Sequence, residues 1–233
     1  MKIAVINFSG NVGKSTFARH LLLPRIPGAE LITIESLNAD EGQGQALRGR
    51  QFGELQEYLQ TVSSVVVDIG ASNVEELMGQ MQRYRGSHED FDAFVVPTVP
   101  ALKQQQDTIA TLIELSRLGV SASRLKLVFN MVKSGITVAQ AFDPLLAFLK
   151  QQPIARVNLN CKLGENEIYG RIKGTKTDLG TLASDPTDYK ALIAQAKVTT
   201  EKVAMAQKLA TRRLASGVVP ELDACFAALE FKP

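Results

Sequence analysis

The sequence predicts an α/β fold, a doubly wound and mainly parallel sheet with a helical C-terminal extension. Three observations carry the prediction. Short β-branched runs recur, each followed by a stretch of helical periodicity. Runs such as Val65-Val66-Val67 do not alternate with polar residues, so both strand faces are expected to be covered by helices. From Ser184 onward the strand signals cease and only helical periodicity remains.

In chain order, strands are expected at 2–7, 30–34, 64–68, 93–96, 125–130 and 154–158, and helices at 14–23, 52–62, 74–84, 101–118 and 138–149. The βα alternation argues for one α/β domain over 1–182. A helical extension over 183–233 is expected to pack on it: a long helix from Asp185-Pro186 to about Ala215, stopped by Ser216-Gly217, then a short one opened by Pro220. Two glycine-rich stretches, 38–53 and 162–181, read as loops with a functional role.

Composition excludes several classes. Apolar residues make up 45% and charged residues 21% of the 233, which rules out wholesale disorder. Lysine and arginine number 26 against 24 acids, so any basic site must be local rather than a property of the whole molecule. Cys161 and Cys225 stand apart without a CxxC or Cys/His cluster, arguing against a disulfide scaffold or zinc site. No apolar run approaches the ~20 residues of a bilayer span, and the first seven residues lack the form of a signal peptide. A cytoplasmic protein without a stable membrane anchor is expected.

The informative segment is Asn7-Phe8-Ser9-Gly10-Asn11-Val12-Gly13-Lys14-Ser15-Thr16, which follows the first strand and opens the first helix. Glycines let backbone N–H groups turn inward as an anion nest, and the helix N-terminus adds positive potential. Lys14 is then placed to reach the β- and γ-phosphates, and the Ser15 hydroxyl to join a Mg²⁺ shell. The strict GxxxxGK(S/T) pattern wants glycine where this chain has Phe8. The first glycine is instead Gly10, as in the deviant pattern xKGGxGK(S/T). Asp68, closing an apolar run, is the candidate carboxylate for orienting Mg²⁺ through water. Asn130, closing Leu127-Val128-Phe129, either reads an adenine edge or forms a turn.

Gly10–Thr16, Val65–Asp68, Val95-Val96-Pro97-Thr98 and Leu127–Asn130 resemble the ParA/MinD family of deviant Walker-A ATPases; residues 158–174 resemble that family's segment beside the adenine. The resemblance covers about residues 1–180 at motif level. It implies ATP and Mg²⁺ as cofactors, slow hydrolysis, and a nucleotide-dependent homodimer. It also implies a DNA-binding partner protein of the same plasmid operon, with DNA met directly or indirectly, in plasmid stability, segregation or conjugative transfer. On that resemblance Ser9, Gly10, Asn11, Val12, Gly13, Lys14, Ser15, Thr16 and Asn130 bind the nucleotide and Ser15 and Asp68 serve the metal. Lys14, Asp68 and Glu35 are the catalytic candidates, with Asp40 a further candidate for aligning water.

The chain departs from the family pattern at three positions. The family's signature lysine falls on Ser9, its second loop glycine on Asn11, and the second acid of its acid–x–acid pair on Leu37. Arg48 or Arg50 is a candidate replacement cation. Two other readings follow: a module that binds nucleotide without hydrolysing it, or a small-molecule ATP-dependent enzyme of the dethiobiotin-synthetase kind. On the expected 185–215 helix, Lys190, Lys197, Lys208 and Arg212 share one arc, which reads as a solvated face or as a surface for DNA phosphate, anionic lipid or an acidic protein segment. His20 and His88 lack partners at catalytic spacing and read as structural.

Overall fold

The structure, a computed structural model, describes residues 1–34, 49–175 and 177–231, with the backbone alone at 49 and 50. Six parallel strands form one sheet: β1 (Lys2–Val5), β2 (Glu30–Ile34), β3 (Val65–Ile69), β4 (Ala93–Thr98), β5 (Leu125–Val132) and β6 (Lys162–Gly164), in the order β2-β3-β1-β4-β5-β6. β1 lies at the centre, with Val5 opposite Asp68 on one side and Val95 on the other. The loop leaving β1 is therefore flanked by the ends of β3 and β4.

Helices cover both faces, and alternate residues of one strand divide between them. Ala4, Val67, Phe94 and Val96 face a core shared with α2 (Gly49–Thr61), α3 (Val74–Arg83), α4 (Leu102–Arg117) and α6 (Asp143–Gln151). Ile3, Val5, Val66, Val95 and Val128 face the opposite core. That second core holds Phe17, Ala18, Leu21 and Leu22 of the first helical segment and Ala215, Val218, Leu222 and Cys225 of the last helix. Every residue of β3 and β4 is buried, which is why neither shows polar alternation. Pro97 is accommodated inside β4 because its carbonyl side, and hence its missing N–H, faces β1 beyond that strand's last residue.

The first helix starts as α1 (Lys14–Thr16), continues as a π-helical segment over Phe17–Leu22 and ends in a 3₁₀ turn, Leu23–Arg25. The expected helix at 138–149 is two, α5 (Val138–Ala141) and α6, because Phe142 leaves helical geometry and Pro144 restarts the chain. The glycine-rich stretch 38–53 is not loop throughout: α2 begins at Gly49, and residues 38–48 lie outside the described ones.

Further assignments are corrected. The sixth strand is Lys162–Gly164; residues 154–158 supply only a single bridge, Arg156 to Lys126. Short α7 (Ile168–Arg171) and α8 (Leu179–Ala183) follow it.

The C-terminal helices are also divided differently. Asp185 starts no helix; its carboxylate accepts from the Thr187 N–H, the Thr187 hydroxyl and the Tyr189 hydroxyl. α9 spans Tyr189–Gln195, the chain turns extended at Ala196, and α10 runs unbroken over Thr199–Ala228. Ser216-Gly217 and Pro220 do not stop α10, although proline costs a helix about 3 kcal/mol. The apolar stripe Ala215, Val218, Leu222, Cys225 and Leu229 runs at i+3/i+4 spacing through that region and is buried against the sheet, which offsets the cost. Lys190 and Lys197 consequently share no helix with Lys208 and Arg212. Arg212 leaves the basic arc altogether: it donates to the Asp185 and Thr187 carbonyls and lies 5.2 Å over the Tyr189 ring.

α10 is pinned at Asp223, which Arg25 contacts at 2.6 Å, and at Glu221, which accepts from the Gly164 N–H at 2.5 Å. Leu222→Ala is expected to destabilise the protein by about 2–5 kcal/mol in chemical denaturation. A loss below about 1 kcal/mol would show that this stripe does not hold the helix to the sheet.

Candidate phosphate-binding site

The site is built on the turn between β1 and α1. Asn7, fully buried, fastens its entry: its Nδ2 donates to the Pro97 carbonyl at 2.8 Å and the Thr108 hydroxyl at 2.9 Å, while its Oδ1 accepts from the Ser9 N–H at 2.7 Å. The Phe8 N–H donates to the Thr111 hydroxyl at 3.1 Å, and Thr98 lies 3.0 Å from the Thr108 hydroxyl. Thr98, Thr108 and Thr111 are all buried, so these bonds are made without competition from water.

The exit is fastened by Asn130. Its Nδ2 donates to the Val12 carbonyl at 3.0 Å and its Oδ1 accepts from the Met131 N–H at 2.9 Å. This places Asn130 under the loop, with its amide engaged in holding Val12 rather than presented as an open edge. Asn11 (φ 57°) and Gly13 (φ 97°) take left-handed conformations, and Gly13 caps α1. A Cβ on Gly13 would lie 2.5 Å from the Asn130 Nδ2, so only glycine fits. Gly10 differs, having open space where a Cβ would go and an exposed backbone. Its lack of a side chain answers no need of the fold itself and suits the close approach of an external group.

Lys14 is 8% exposed and folds back on the loop, donating to the carbonyls of Asn7 at 3.1 Å and Ser9 at 2.6 Å. Burial pushes its ammonium down to about 8, against the pull of the Asp68 carboxylate. Asp68 is 2% exposed in β3. Ser15 is exposed and Thr16 half-buried at the start of α1. The Ser15 hydroxyl and the Asp68 carboxylate are hard oxygen donors, and no group of three or more His, Cys, Asp or Glu suited to a metal occurs among the described residues. Donors of this kind suit Mg²⁺, which takes one or two protein ligands and fills its remaining positions with water and phosphate.

Ser9 is 3% exposed. Asp107 is held below the usual carboxylate range first by its bond from Lys103 and then, against some desolvation, by the nearby Ser9. Glu35, Leu37, Asp40 and Arg48 lie outside the described residues, as does the side chain of Arg50. The reading from sequence missed Asn7, Thr98, Asp107, Thr108 and Thr111. Two signals pointed to them: an Asn closing an otherwise apolar strand, and Asp107, Thr108 and Thr111 at helical spacing on α4.

No family model matches the chain, and no curated protein matches it in sequence. Solved structures do match in shape. Apo McdA from Cyanothece superposes with a TM-score of 0.51 at 13% identity over 89% of this chain and 98% of that one. The cell-division protein MinD from Aquifex aeolicus gives 0.51 at 13% identity over 92% and 97%. The fold is that of MinD and McdA. An ATP complex of a Cyanothece McdA variant gives 0.50 at 14% identity over 90% and 96%.

The two loop glycines yield a paired prediction. Gly13→Ala is expected to destabilise the fold by about 2 kcal/mol or more, through both the left-handed φ and the clash with Asn130. Gly10→Ala is expected to change stability by less than about 0.5 kcal/mol. Equal losses in thermal or denaturant unfolding would contradict this division of roles.

Proposed function

We propose that this chain is a ParA/MinD-like, ATP-binding switch and slow ATPase. It acts in the cytoplasm as a nucleotide-dependent homodimer beside a DNA-binding partner of the same plasmid operon, in plasmid stability, segregation or conjugative transfer. By its motifs it resembles the StbB type. One observation carries the reading: the β1–α1 turn is fastened at Asn7 and Asn130, while its middle, at Gly10, is left open to an outside group. The fold shared with MinD and with an ATP-bound McdA variant supports the choice of ligand. No helix among the described residues is long and apolar enough to cross a membrane.

In this reading the backbone N–H groups of Gly10–Thr16 hold phosphate oxygens, and Lys14 gives up the Asn7 and Ser9 carbonyls for them. The exchange is favourable, because the ammonium then faces full negative charges in place of two carbonyl dipoles. Ser15 and Asp68 would hold Mg²⁺, which when bound spreads the developing charge of phosphoryl transfer. Asn130 positions the loop through Val12. Glu35 and Asp40 remain the candidates for orienting water.

A second reading, nucleotide binding without turnover, draws on Ser9. Its side chain is buried and brings no positive charge to the loop. Calorimetry with Mg-ATP and Mg-GTP, paired with phosphate release in the presence and absence of DNA and candidate partner, separates the two. The switch reading expects saturable ATP binding and slow release that Lys14→Ala lowers at least tenfold, about 1.4 kcal/mol. Binding without release in any mixture favours the second reading, and no binding of either nucleotide sinks both.

A further inference from the structure

Lys14 is not the only cation tied to this loop. Lys14 donates to the Ser9 carbonyl at 2.6 Å, while next to it the Phe8 N–H meets the Thr111 hydroxyl, which donates to the Asp107 carbonyl at 2.8 Å; the Asp107 carboxylate in turn pairs with the Lys103 ammonium at 2.8 Å. Lys103 stands in the first turn of α4, at the end of β4 that adjoins the β1–α1 turn. Its side chain is 75% exposed, against 26% for Asp107. One charged group is thus packed at the loop and the other hangs outside it.

The pair is weakly held on three counts. An exposed i,i+4 ion pair is worth no more than about 0.5 kcal/mol. Lysine preceding the acid is the less favourable order on a helix. A cation in the first turn also faces the positive end of the α4 dipole. A phosphate group arriving over Gly10 offers this ammonium more charge than Asp107 does, at a site where the buried cation, Lys14, serves the inner part of the turn.

We propose that Lys103 is a second phosphate-binding residue of this site, held ready on Asp107 and transferred to the terminal phosphate of a bound nucleoside triphosphate, so that it sets the preference for tri- over diphosphate. The proposal rests on the nucleotide reading of the loop and adds to it a residue outside the loop motif.

The test measures Mg-ATPγS and Mg-ADP affinity of the full chain by calorimetry for wild type, Lys103→Met, Lys103→Arg and Asp107→Asn. Because Lys103 is exposed, its variants are expected to fold, which circular dichroism checks. The expected result for Lys103→Met is a loss of about tenfold for ATPγS and less than twofold for ADP, the scale of one charge-assisted bond. Lys103→Arg is expected to recover most of it, and Asp107→Asn, which frees the lysine, to bind ATPγS at least as tightly as wild type. An unchanged ratio of the two affinities in Lys103→Met overturns the proposal, whether both fall together or neither moves. If wild type binds ADP and ATPγS normally in that case, the nucleotide site stands without Lys103; if wild type binds neither, the site itself is refuted and the proposal with it.

Discussion

A tight turn with left-handed residues and an open middle has few bonds of its own and must be held from its two ends. Here two buried side-chain amides sustain it. Asn7 ties the entry of the β1–α1 turn to β4 and α4, and Asn130 ties its exit to β5. Removing either would leave buried partners unsatisfied, at about 1–3 kcal/mol each. Both anchors lie on one side of β1, in β4 with α4 and in β5 beyond it.

The threonines of α4 extend that anchorage. Thr108 and Thr111 also bond back to carbonyls four residues earlier, at Gln104 and Asp107, so their hydroxyls are oriented before they meet the loop. The buried face of α4 thereby sets the entry of the turn, while its exposed first turn carries Lys103 beside it. The opposite face of the sheet is given to the first helical segment and α10. The two are joined at Arg25 and Asp223, and Arg25 also closes the 3₁₀ end of that segment by donating to the His20 and Leu21 carbonyls.

Much of this arrangement was legible in the residues. Unbroken apolar runs at 65–67 and 93–96 meant strands covered on both faces, and Gly13 before Lys-Ser-Thr meant a tight turn opening a helix. The misreadings share a cause. Gly217 and Pro220 are local stop signals, yet a buried stripe on α10 outweighed them. The segment 154–158 looks like a strand, but residues 162–164 won the sheet edge through register with β5, where Phe129 opposes Lys162. Arg212 counted as surface charge until the turn at Asp185 folded beneath it.

Periodicity and spacing act over a few residues, and they were enough to set the fold class and the position of the turn that Gly13 closes. Partners across long separations were settled by packing alone: Asn7 with Thr108, Val12 with Asn130, Phe8 with Thr111. No local pattern specifies those meetings, because each depends on which strand β1 lies beside and on which helix face is turned toward it.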